Sequence, residues 1–291
     1  MNKPDNLVNA KAIIKQARAG RYAIPHININ NLEWTKTILL TAQAENSPVI
    51  LGTSEGAVKY MGGFKTVYGM VCGLMADLQI SVPVVLHLDH GSLEGVKKAL
   101  AAGYTSVMYD GSHEDFATNY QNTKAVVALA KKYNASVEAE VGSIGGEEDG
   151  IIGAGEIADP EEAKKMAALG IDFLAAGIGN IHGPYPASWT SLKFEALANL
   201  AQACNLGMVL HGGSGIPQNQ IQRAISLGIA KINVNTELQQ ANAAAIWAYV
   251  ESGVAKQGKN FDPRKLYAPG IKAMEQTISE KIREFGSANK A

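Results

Sequence analysis

Eight short runs of apolar and β-branched residues punctuate the chain: YAIPHIN (22–28), PVILGT (48–53), VPVVLHLDH (82–90), TSVMYDG (105–111), SVEAEVG (136–142), IDFLAAGIG (171–179), MVLHGGSG (208–215) and KINVNT (231–236). They are near-continuous in apolar character rather than strictly alternating, the pattern of strands covered on both faces. Between them lie stretches rich in Ala, Leu, Lys and Glu with helical spacing, such as SLEGVKKALAAG (92–103) and DPEEAKKMAALG (159–170). Both close on a glycine, the residue that most readily ends a helix in the left-handed conformation. Asp159 followed by Pro160 reads as an N-cap with proline at the first helical position. After Gly258, FDPRKLYAPGIKAMEQTISEKIREFG predicts a turn and a last amphipathic helix.

Strands alternating with helices in this way predict an α/β fold, a (β/α)8 TIM barrel forming a single domain over residues 1–291 with a C-terminal helical extension. The competing architecture is an open, doubly wound sheet. No Pro/Gly/Ser linker or composition break divides the chain. Composition then narrows the function classes. Hydrophobic content of 46% with 18% charged residues supports a sizeable core and excludes disorder. A formal net charge of −1 without any Lys/Arg run excludes a nucleic-acid footprint. Cys72 and Cys204 stand far apart without CxxC spacing and fit a reducing compartment. The N-terminus lacks an apolar signal core, and no stretch is long and apolar enough to cross a membrane, so a cytoplasmic protein is expected.

A barrel should collect its chemistry at the C-terminal ends of its strands. Asp89 and His90 end the third run, Asp110 ends the fourth, and Glu138 and Glu140 lie on the fifth. His182 follows the sixth, His211 lies near the end of the seventh, and Asn233, Asn235 and Thr236 end the eighth. Three imidazoles converging on one rim with an open position make a catalytic zinc site. A lone strand-end histidine is more often a satisfied, partly buried side chain, and His26, His87 and His113 are expected in that class. Asp89 has a competing reading as a helix N-cap, which Ser92 fills better. NIHGPY (180–185) and HGGSGI (211–216) put glycines beside two candidate ligands, where backbone N–H groups can turn toward a phosphate; an ordinary glycine turn is the plainer alternative. GGEEDG (145–150) reads as a solvated loop or as a lid that brings Glu147 or Glu148 over the mouth.

The segments LHLDHG, VEAEVGSIGGEEDG, IHGPY, LHGGSGI and KINVNTE, in that order, resemble the signature segments of class II, zinc-dependent ketose-bisphosphate aldolases. The likeness runs from about Ala10 to the last helix and is similar to the fructose-1,6-bisphosphate aldolases of the shorter bacterial subgroup, strengthened by SPVILGTSEGAVKYMGGFKTV and FDPRK. The resemblance implies that His90, His182 and His211 bind Zn²⁺ and that Glu140 stands near an alternative, buried metal position. It implies that Asp89 exchanges a proton with the substrate hydroxyl at the bond broken, and that Glu148 moves the proton at the enediolate carbon. Gly183, Gly212, Gly213, Ser214, Asn235 and Thr236 would hold the phosphate of the dihydroxyacetone end, and Asn233 would contact the enediolate. Asn28, Ser54 and Asp110 match polar positions around the substrate and Asp89, and Arg264 would reach the second phosphate from a neighbouring subunit. A monovalent cation, Na⁺ or K⁺, would sit on the carbonyls of Ile181, Gly183 and Gly212. The implied assembly is a homodimer or homotetramer acting on a small phosphosugar, in glycolysis and gluconeogenesis.

Retro-aldol cleavage leaves an electron pair on carbon, which Zn²⁺ stabilises as a Lewis acid while a base beside the metal takes the C4 hydroxyl proton. Three alternatives remain open at this point. A tagatose-1,6-bisphosphate aldolase would use the same scaffold, although the Asn at 235 resembles the fructose enzymes better. A Schiff-base aldolase would need a lysine in the mouth, and Lys231 opens the eighth run at the wrong end. A non-catalytic phosphosugar- or metal-binding barrel would leave Asp89 and the acidic loop without work.

Overall fold

In the computed structural model, which describes residues 3–148 and 151–291, the strands in chain order are β1 (Ile24–Asn28), β2 (Val49–Thr53), β3 (Val84–Gly91), β4 (Ser106–Tyr109), β5 (Ser136–Val141), β6 (Gly145–Glu148), β7 (Ile151–Gly153), β8 (Phe173–Ala176), β9 (Ile181–His182), β10 (Gly207–Leu210) and β11 (Ile229–Val234). Strands β1 to β5, β8, β10 and β11 form a closed parallel barrel in the order β1-β11-β10-β8-β5-β4-β3-β2. Closure comes from pairing β1 with β11, Ile24 opposite Lys231 and Ile27 opposite Val234. The (β/α)8 expectation therefore holds, and each of the eight apolar runs overlaps one barrel strand, with β11 starting two residues before its run. The remaining three strands make a small sheet over the mouth, with β6 antiparallel to β7 and parallel to β9.

Helices α1 (Lys11–Gly20), α2 (Leu32–Ala44), α3 (Glu55–Tyr60), α4 (Phe64–Asp77), α5 (Leu93–Ala102), α6 (Phe116–Lys132), α7 (Pro160–Ala168), α8 (Phe194–Cys204), α9 (Gln218–Ser226) and α10 (Thr236–Glu251) accompany the strands. The short α11 (Pro263–Leu266) and the long α12 (Ala268–Glu284) form the extension, and α12 packs on α10 and α2. The local signals act as expected. Ser92 caps α5 by accepting the Gly95 N–H at 3.0 Å, and Asp159 caps α7. Gly103 ends α5 in the left-handed conformation at φ +109.

Side chains alternate across each strand, so the barrel interior is stacked in layers of period two. The floor is apolar: Ile24, Ile50, Val85, Met108, Phe173 and Val209 pack with Ile13 and Ile14 of α1, which closes the bottom. Two residues further along the strands come His26, His87, Glu138 and Lys231, all fully buried. Two further still come Asn28, Asp89, Glu140 and Asn233, the base of the mouth. The larger apolar cluster lies outside the sheet, between strands and helices.

Candidate active site

Asp89 and His90 are consecutive, and a regular strand would send them to opposite faces. The chain solves this with His90 in the left-handed region at φ +48, where the register between β3 and β4 shifts between Leu88 and Gly91. The bend keeps Asp89 on the interior face and turns His90 over the rim. There the rings of His90, His182 and His211 meet edge to face, with centroids 4.7–5.7 Å apart. One nitrogen from each lies within 4.8 Å of the others.

The outer nitrogens are already engaged. His90 Nδ1 bonds Asp110 Oδ2 at 2.6 Å, and His211 Nε2 bonds Glu138 Oε1 at 2.8 Å. Asp110 is fixed in turn by the Ser112 N–H and hydroxyl. Carboxylates behind two imidazoles set their tautomers and leave His90 Nε2 and His211 Nδ1 facing each other at 3.0 Å. Two lone pairs at that separation repel unless a proton or a cation lies between them. Glu140, fully buried beside them, has an Oε2 without a hydrogen-bond partner. This donor set fits a divalent cation: His90, His182 and His211 as ligands, with Glu140 in reach of an alternative position shared with His90 and Asp110.

Charge is distributed in keeping with that role. Burial lowers His90, but the carboxylates of Asp89, Asp110 and Glu140 outweigh it and push the metal-free imidazole up to about 10. Burial and the two neighbouring imidazoles hold His182 down at about 2. Burial, joined by the charge of Asp110, pushes Glu140 well above its ordinary value. Burial alone would raise Asp89 too, yet the surrounding imidazoles and the Lys231 ammonium hold its carboxyl well below the usual range. Asp89 is buried and clamped by two amides, Asn28 Nδ2 at 3.1 Å and Asn233 Nδ2 at 3.3 Å.

Next to Asp89 a narrow crevice is lined by Asn28, His182, Gly183, Gly212, Ser214, Asn233, Asn235 and Thr236. It opens at the N-terminus of α10, where Asn235 makes no side-chain cap and the helix dipole favours an anion. Gly213, expected among the phosphate contacts, is not on this wall. Its N–H is spent on the Asn233 carbonyl at 2.9 Å, so it ties two strand ends together. Two residues missed in the sequence tie together the loops that carry these walls. Tyr185 accepts the Ile181 N–H at 3.0 Å and donates to the Gly212 carbonyl at 2.8 Å. Asn180 donates to the His211 carbonyl at 3.0 Å. Their signal was their place in GNIHGPY, flanking His182.

Gly212 sits at φ +63 with no room for a Cβ, which would run into the Ile181 carbonyl. Gly212→Ala is expected to cost about 1–2 kcal/mol in backbone strain and to push the two loops apart. Steady-state kinetics should show a raised KM for the phosphorylated substrate, and an unchanged KM would remove Gly212 from the anion wall.

Other candidates fall as follows. Ser54 caps α3 and shares a cavity of about 400 Å³ with Asn28, Asn30, Glu147 and Gln239. Asp110, expected around Asp89, instead holds His90 and lines a neighbouring cavity with Glu55, Ser92, His113 and Glu140. The acidic segment is strand β6, whose Gly146 pairs with His182; Glu148 ends that strand, and its side chain lies outside the described residues. Arg264 lies on α11, exposed and bonded to Asp262, and lines none of the mouth cavities described above. His26 and His87 are fully buried rather than partly so, and both nitrogens of His26 lack hydrogen-bond partners. His113 is exposed. Lys231 is outside the mouth, as expected, but it does not open its strand: β11 starts at Ile229, and Lys231 lies inside the barrel, 2.8 Å from Glu138 Oε2.

A parallel barrel carrying a three-histidine donor set beside an amide-clamped carboxylate and an anion crevice defines a metal-dependent barrel enzyme for phosphorylated substrates. The chain belongs to the class II fructose-bisphosphate aldolase family, whose profile matches residues 8–290. It is 53% identical over 287 residues to the fructose-bisphosphate aldolase of Mycoplasma pneumoniae, covering 98% of this chain and 100% of that one. It is 50% identical to the fructose-bisphosphate aldolase of Streptococcus pyogenes serotype M3, with 98% and 99% covered. Among solved structures, the YdjI aldolase of Escherichia coli K12 superposes with a TM-score of 0.83 at 33% identity, covering 98% and 99% of the two chains.

Proposed function

We propose that the chain catalyses the reversible cleavage of D-fructose 1,6-bisphosphate to dihydroxyacetone phosphate and D-glyceraldehyde 3-phosphate, with Zn²⁺ as its divalent metal. The observation that carries this reading is the placement of Asp89, a buried, ionised carboxylate between the three histidines and the anion crevice. The bound cation would supply a Lewis acid for the substrate ketone oxygen. The crevice residues Gly183, Gly212, Ser214, Asn235 and Thr236 hold the C1 phosphate, and the geometry of that end fixes the chain of the sugar across Asp89. Asp89 takes the C4 hydroxyl proton as the C3–C4 bond breaks and the C4 carbonyl forms. The electron pair stays on the C3 side, where Asn233 faces it, and an acid from the β6 end, assigned to Glu148, returns a proton to C3. Ser54 and Asn28 line the way to the second phosphate, with Arg264 supplied by a neighbouring copy.

We read residues 1–291 as one barrel domain working as a homodimer or homotetramer. Trp247, Val250, Phe261 and Tyr267, exposed around α10 and α11 beside Arg264, are the apolar surface that supports an assembly. A monovalent cation, Na⁺ or K⁺, would rest on the carbonyls of Ile181, Gly183 and Gly212. A cytoplasmic, glycolytic setting is consistent with two free, buried cysteines, and no described helix is long and apolar enough to cross a membrane.

The test is the initial rate of triose phosphate release from fructose 1,6-bisphosphate, with and without a chelator, beside the tagatose epimer. Chelator-sensitive turnover that favours fructose bisphosphate is expected. Faster tagatose cleavage would move the substrate, and zinc-loaded protein inert on both sugars would leave a binding protein. Arg264→Ala should raise KM for the bisphosphate about tenfold or more, roughly 1.4 kcal/mol or more of lost binding. The same loss with a ketose monophosphate would argue against a contact to the second phosphate.

A further inference from the structure

We propose that Lys231 and Glu138 form a buried positioning pair that presents His211 to the metal, with its Nε2 protonated and its Nδ1 bare. Lys231, Glu138 and His211 are each 0% exposed, in the layer at and below the mouth. Lysine and glutamate are almost never wholly buried unless paired, and here they are. Lys231 Nζ lies 2.8 Å from Glu138 Oε2, and Glu138 Oε1 lies 2.8 Å from His211 Nε2. On the opposite edge of the ring, Asn233 Nδ2 points at His211 Nδ1 from 3.3 Å, and His90 Nε2 stands 3.0 Å away.

The bonding groups decide which way this relay runs. An ammonium can only donate, so Glu138 Oε2 accepts from Lys231, and the anchored carboxylate turns Oε1 to His211 Nε2. Oε1 accepts from Nε2 while the Asn233 amide donates toward Nδ1 on the other edge, so Nδ1 keeps its lone pair for the cluster. Lys231 thus acts through Glu138 and His211 without touching substrate. The inference rests on the metal-aldolase reading only for the role of His211 as a ligand.

The test uses the double variant Lys231→Met/Glu138→Gln, which removes both charges together and keeps the volume. Co²⁺ affinity by chelator competition and the visible spectrum of the Co²⁺-loaded protein are compared with wild type. The affinity is expected to fall about 10- to 100-fold, with an altered spectrum and an unchanged melting temperature for the metal-free protein. Wild-type affinity and spectrum in the double variant would overturn the proposal. Should that variant fail to fold, ¹⁵N NMR of the wild-type metal-free protein decides: the Nε2–H tautomer of His211 is expected, and Nδ1–H overturns it. Cleavage of the bisphosphate is scored separately, so an inactive protein with this coupling intact would fail the functional reading alone.

Discussion

Asp89→Asn is expected to lower kcat for bisphosphate cleavage roughly 10²–10⁴-fold while leaving bound metal and fold in place. The amide cannot take the C4 hydroxyl proton, so the loss falls on the chemical step rather than on binding. Asparagine is the informative choice because the site can absorb it. One oxygen still accepts from Asn28, and Asn233, whose Oδ1 has no partner, can turn its amide to meet the new NH₂ group. Alanine would instead strand two buried amide donors at a cost of about 1–3 kcal/mol each, mixing a stability defect into the kinetics. Metal content is the control. Asp89 is no member of the three-histidine set, so stoichiometric metal with depressed kcat and little change in KM is the expected result. Near-normal turnover would end its role as the base, and lost metal would make it part of the metal site instead.

The barrel was legible because buried parallel strands must be apolar on both faces, and eight such runs stood out. Spacing two puts His87 on the face of Asp89 and a layer deeper, and the same holds for Glu138 and Glu140, His26 and Asn28, and Lys231 and Asn233; what spacing leaves open is which of these polar groups the closed barrel brings together. Lys231 was read as opening the eighth run, away from the mouth; β11 in fact starts at Ile229, so Lys231 is its third residue, opposite Ile24 and inside the barrel below Asp89. The three histidines were legible because they follow strand ends. The tilt of His90 was not, because nothing in LDHG states that a histidine takes φ +48. Gly213 shows the limit of motif reading: in HGGSG, two adjacent glycines differ in role according to which N–H the neighbouring strand has already claimed.

Stripping the metal is expected to abolish cleavage and leave the barrel standing. The fold rests on apolar layers inside and outside the sheet, none of which includes the three histidines. The rings of His90 and His211 are held from behind by Asp110 and Glu138, so the metal-free site keeps much of its shape. A Lewis acid at a ketone oxygen contributes several kcal/mol to the barrier, so its removal should cost about 10³-fold or more in rate. Dialysis against a chelator, with circular dichroism melting beside the turnover assay, checks both halves, and added Zn²⁺ should restore the rate without a refolding delay. Turnover that persists with metal verified absent would require a protein amine to hold the electrons as an iminium. Lys231 is the lysine inside the barrel, but it lies below Asp89, wholly buried and committed to Glu138. Borohydride treatment with a ketose phosphate should therefore leave the mass of the chain unchanged. A reduced adduct on Lys231 would overturn the metal mechanism, because an amine free to attack a carbonyl cannot also be the ammonium that anchors Glu138 as the acceptor for His211.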